Sequence, residues 1–93
     1  MKLKWDQDHR DPDDINLYDM DAQGPRGPTR LVGWVQPSHE YRGMYQIRIG
    51  WDDDEDLENY NHASWRKAMR ELRLQYRLFR LAGGRFENES NIR

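Results

Sequence analysis

The chain has 93 residues, 35% of them hydrophobic and 34% charged, with a net charge of −2 and a mean hydropathy of −1.24. This length holds a single domain, and the absence of cysteine excludes disulfides and thiolate metal sites. No apolar run approaches the ~20 residues that span a bilayer, and none follows Lys2 and Lys4 as a secretory signal requires, so a cytoplasmic protein without membrane contact is expected.

Charge is unevenly distributed. Residues 1–63 carry seven Lys/Arg against fourteen Asp/Glu, whereas residues 64–85 carry seven Lys/Arg against Glu71 alone. Such asymmetry points either to a polyionic partner or to attraction between the two halves. Four Trp, five Tyr and two Phe enlarge an otherwise lean apolar supply, since each buries a large area.

Residues 1–28 are acidic, poor in apolar groups, and close on Gln23-Gly24-Pro25-Arg26-Gly27-Pro28, a turn or extended linker. The segment reads as largely irregular, with a short strand at Lys2–Trp5 as an option. Residues 29–85 read as the folded unit and residues 86–93 as a tail. Thr29 to Val35 is a strand candidate that ends at Pro37, with Leu31 and Val35 on one face and Trp34 on the other. Met44 to Trp51 is a clearer strand: Tyr45, Ile47, Ile49 and Trp51 alternate with Gln46, Arg48 and Gly50. Residues 38–43 form the hairpin loop between them and place Tyr41 and Arg42 at its tip, a pairing common at contact surfaces. The acidic run Asp52, Asp53, Asp54, Glu55 and Asp56, continuing to Glu58, reads as a solvated loop.

A helix is expected from about Trp65 to Ala82, capped by Ser64 or Asn61 and stopped by Gly83-Gly84. At ~100° per residue, Trp65, Ala68, Met69, Leu72, Tyr76 and Phe79 form its core stripe, which should cover the apolar hairpin face. Arg66, Arg70, Arg73, Arg77 and Arg80 gather on one flank without an interleaved acid. Like charges at i,i+4 disfavour an isolated helix, so a partner for them is expected. The Asp52–Glu58 run, a carboxylate-rich protein surface and nucleic-acid phosphates all qualify, and a merely solvated stripe is the remaining reading. Leu74, Leu78 and Leu81 lie opposite the core stripe. Either the N-terminal segment covers them through Ile15, Leu17 or Tyr18, or they form an apolar interface with a partner or a second copy.

No sequence signature of catalysis stands out. Asp19-Met20-Asp21-Ala22-Gln23-Gly24 opens like a calcium loop but reaches Arg30 where a bidentate Glu is required. His9, His39 and His62 lack metal-ligand or triad spacing and read as exposed loop residues, and no phosphate-binding or nucleophile motif is present.

The expectation is therefore an α+β fold, a small antiparallel hairpin of two or three strands packed against one long C-terminal helix. The function expected is that of a non-enzymatic binding or regulatory protein without cofactor or metal, whose partner is an unidentified protein, with a homodimer as one form. Direct nucleic-acid binding by the arginine helix is the first alternative. The second is an acidic mimic of nucleic acid that inhibits a nucleic-acid-handling enzyme. The composition is also in keeping with a phage-encoded accessory protein acting in the host cytoplasm.

Overall fold

In the computed structural model, which describes residues 1–86, strand alternation and helical period each produce the element they predict. Tyr45, Ile47 and Ile49 build β4 (Tyr45–Ile49), preceded by β1 (Leu3–Gln7), β2 (Ile15–Asp19) and β3 (Arg30–Pro37) and followed by α1 (Glu55–Asn59) and α2 (Trp65–Leu81). The strands form one antiparallel sheet in sequence order, β1-β2-β3-β4. The α+β class holds, with four strands where two or three were expected.

Residues 1–28, expected to be largely irregular, supply two strands: the option at Lys2–Trp5 is realised as β1, and β2 is the strand not expected. Ile15 and Leu17 alternate toward the helix side of the sheet, and Leu3 and Trp5 pack against the same core. Burial of these few side chains outweighs the acidic composition around them. Leu17 is fully buried, so the folded unit does not begin at residue 29. At the other end Phe86 joins the core, while residues 87–93 of the expected tail lie outside the described residues.

A β-bulge shifts the β2–β3 register between Leu17 and Tyr18, so that Leu17 opposes Gly33 and Tyr18 opposes Leu31. Val32 and Gly33 are consequently both buried, and Leu31 turns to the outer face beside Trp34, 41% exposed. Simple alternation had placed Leu31 with Val35. Gly33 permits the closest approach of helix to sheet: a Cβ there would stand 2.5 Å from the Arg48 carbonyl oxygen and 2.9 Å from Leu72 Cδ1.

The core stripe of α2 covers the β4 face as its spacing predicts. Ala68, Leu72 and Tyr76 are fully buried. Tyr45 and Trp65 rings lie 4.4 Å apart, and Trp51 sits 5.3 Å from Tyr76 and 5.6 Å from Phe79. Ser64 caps the helix by accepting from the Lys67 N–H at 3.2 Å. Gly83, at φ +84°, ends it in the left-handed conformation that glycine adopts without strain.

The acidic run is not wholly a loop. Asp54 accepts from the Leu57 N–H at 3.0 Å and caps α1, whose first-turn acids suit a helix N-terminus. This helix and the segment after it seal the ends of β4. Glu58 accepts from the Ile49 N–H at 2.8 Å, and Tyr45 and His62 exchange backbone hydrogen bonds of 2.9 and 2.7 Å. His62 is therefore buried rather than an exposed loop residue.

Candidate docking surface on α2

The five arginines of the flank separate into one structural residue and four without a partner among the described residues. Arg80 turns inward. Its Nε donates to the Tyr76 hydroxyl at 2.8 Å, its Nη1 donates to the Gly84 carbonyl at 3.1 Å, and its Nη2 lies 3.9 Å from Asp19 Oδ2. Tyr76 in turn donates to Asp19 at 2.5 Å. Burial, together with the Asp19 carboxylate, pushes the Tyr76 phenol well above the usual tyrosine range, so it remains a neutral donor. This buried chain ties β2 to α2 and removes Arg80 from the expected contact surface.

Arg66, Arg70, Arg73 and Arg77 are exposed. None of them makes an ion pair or hydrogen bond with any described residue. The acidic run does not neutralise them, and for three of them its position explains why. Asp52, Asp53, Asp54, Glu55 and Asp56 are all exposed, and the two that line a groove with the first half of α2, Asp54 and Asp56, share it with Arg70 but not with Arg66, Arg73 or Arg77. That groove, of about 720 Å³, separates Asp54, Asp56, Leu57 and Tyr60 from Lys67, Arg70, Glu71 and Leu74.

The arginine flank instead faces β1. Arg66, Arg70 and Arg73 rim a groove of about 220 Å³ whose floor is Trp5 and Met69. Further along, Gln7 of β1 lies near Trp65 and Met69 in a neighbouring depression. α2 itself packs on β3 and β4, and β1 approaches it through Trp5 and Gln7, the Gln7 end near the start of the helix.

Leu74, Leu78 and Leu81 remain 48%, 48% and 83% exposed. The N-terminal segment does not cover them, because Ile15 and Leu17 are engaged in the sheet. Leu74 borders the α1–α2 groove, and Leu78 a smaller one beside Trp51 and Phe79. Tyr41 and Arg42 are exposed at the β3–β4 hairpin, where Gly43 adopts φ +84°, and they line none of these grooves. Trp34 lies half-buried on the outer sheet face opposite Asn16, its indole N–H donating to Gln36 at 2.9 Å.

His62 belongs to the α1–α2 groove, and its Nε2 is buried without a partner among the described residues. Burial lowers its affinity for a proton, while the Glu71 carboxylate nearby opposes that shift. Among the described residues no group of three or more His, Asp or Glu side chains is arranged to hold a metal, and no helix is long and apolar enough to cross a membrane.

The sequence showed the arginines on one flank of the helix but not their setting: nothing local marks Trp5 as the floor beneath Arg66, Arg70 and Arg73. The alternation Leu3-x-Trp5 and Ile15-x-Leu17 was the available signal. Comparison with protein families, with curated proteins and with solved structures finds no match to this chain.

Proposed function

We propose that the protein is a non-enzymatic binding or regulatory module that docks on an acidic protein surface through the outer side of α2. The observation that carries this reading is the row Arg66, Arg70, Arg73 and Arg77, exposed and without an ion pair among the described residues. Guanidinium groups left unpaired along one helix flank destabilise it slightly through mutual repulsion, and carboxylates reverse that sign through charge-assisted, bidentate hydrogen bonds.

Phosphates would serve the arginines equally well, but two features favour a protein. The flank adjoins the exposed ridge Leu74, Leu78 and Leu81, which a protein surface covers and a phosphate backbone does not. In addition, the exposed acids Asp54 and Asp56 border a groove with Arg70 itself and repel a polyanion laid along the arginines.

The test is a capture experiment from cells that contain the protein, run beside a gel shift at low salt. The wild-type chain is expected to retain a protein partner that Arg70→Glu with Arg73→Glu releases, and duplex DNA and RNA are expected not to shift. A shift whose log affinity falls with log salt at a slope near −0.9 per phosphate neutralised, and which the same variant abolishes, transfers the site to nucleic acid.

A further inference from the structure

The sheet has two edges, and they are treated differently. The β4 edge is occupied at both ends, by Glu58 on Ile49 and by the backbone bridge between His62 and Tyr45. The β1 edge carries nothing among the described residues. Met20 N–H bonds to the Lys2 carbonyl, and Asp8 N–H bonds to the Asp14 carbonyl. Residues 2, 4, 6 and 8 therefore direct their backbone groups toward β2, and the alternation of an antiparallel ladder turns those of Leu3, Trp5 and Gln7 outward. The side chains of the same three residues lie on the helix side of the sheet, and Trp5, the central one, lies in the groove rimmed by Arg66, Arg70 and Arg73.

Resting on the reading of α2 as an acid-docking surface, we infer that the partner binds as an added strand: an extended segment with acidic residues at alternate positions pairs with the free edge of β1 and lies under Arg66, Arg70, Arg73 and Arg77. The spacing fits. At ~1.5 Å per residue the arginine row is ~16 Å long. Alternate residues of a strand stand ~6.8 Å apart, so three of them span ~14 Å. Those inward positions fall opposite Leu3, Trp5 and Gln7, the central one at the groove that Arg66, Arg70 and Arg73 rim over Trp5 and Met69. Main-chain pairing supplies affinity for any extended peptide, and the arginines select acids on one face of it. The β1 edge, the Trp5 groove and the guanidinium groups that lack a partner among the described residues thereby receive one occupant.

The probe is a short synthetic peptide alternating glutamate and threonine, titrated into the isotope-labelled full-length chain. The amides of Leu3, Trp5 and Gln7 are expected to shift and to gain protection from hydrogen exchange. N-methylation of one alternate set of peptide amides, the set facing β1, should weaken binding by about tenfold or more, and methylation of the other set should not. Arg70→Glu with Arg73→Glu should weaken it to a similar degree, and a peptide of equal composition with contiguous glutamates should bind less tightly. Binding that responds to charge reversal but to neither methylation, without protection of the β1 amides, overturns strand addition while acid docking on α2 stands. Binding indifferent to charge reversal overturns both. If Leu3, Trp5 and Gln7 are already protected without peptide and the solution mass is doubled, a second copy holds the edge and the inference falls.

Discussion

Arg73 and Arg80 lie two turns apart on the same flank of α2, and the helical period presents them as equivalents. Their surroundings are not equivalent. Arg80 closes over a buried hydroxyl and carboxylate, and its guanidinium also lies 5.1 Å from the Phe86 ring centre. Arg73 is exposed at the rim of a groove and has no ion pair or hydrogen bond among the described residues. The difference arises in β2, where Asp19 is just 3% exposed and draws both Tyr76 and Arg80 toward it. A charge stripe read from one helix therefore mixes residues that hold the fold with residues available to a partner. Only the strand packed beneath the helix separates them.

The widest separation between inner and outer sides of α2 should appear for leucines. Leu72→Ala removes a fully buried side chain and should cost about 2–5 kcal/mol of unfolding free energy, whereas Leu78→Ala, at a half-exposed position, should stay within about 0.5 kcal/mol. Urea denaturation of the two variants measures both, and equal losses would mean that the leucine ridge is covered. A smaller contrast is expected between the arginines. Arg80→Ala strips charge-assisted bonds from a buried site and should cost roughly 1–3 kcal/mol, while Arg73→Ala should again change stability by less than about 0.5 kcal/mol. A matching cost for Arg73 would place it, too, in the architecture.

The smallest effect sharpens the comparison from the other side of α2. Burial holds the His62 imidazole below its ordinary value of 6.5. Above pH 6.5 neither folded nor unfolded chain protonates it, and stability is unaffected. As pH falls below that value, the unfolded chain takes up a proton that the folded chain resists, so stability declines until the folded imidazole titrates as well. Denaturation midpoints measured on either side of the window should show this decline, and His62→Gln should flatten it.

Much of the fold was legible where one periodicity dominated. Tyr45, Ile47 and Ile49 announced β4, and the spacing from Trp65 to Phe79, with Ser64 before it and Gly83 after it, announced α2 and the face it buries. Two kinds of feature were hidden. In residues 1–28, acids outnumber the apolar residues that build β1 and β2, and strands of five residues offer too few alternations to stand out. Beyond that, the roles of Arg80, His62 and Trp5 depend on neighbours distant in the chain: Asp19 for the first, Tyr45 and Glu71 for the second, the arginines of α2 for the third. The arginine flank was readable as a stripe. Its lack of partners among the described residues was not, because the acidic run has enough charge to serve and its distance from Arg66, Arg73 and Arg77 is set only by the fold.

The bridge between Tyr45 and His62, together with the Glu58 clasp on Ile49, limits how far this sheet can grow. With one border stoppered, backbone pairing between copies terminates at two and cannot propagate into a fibre. An open strand at the other border is then tolerable even in a chain this rich in aromatic residues, because runaway polymerisation has no second end from which to continue.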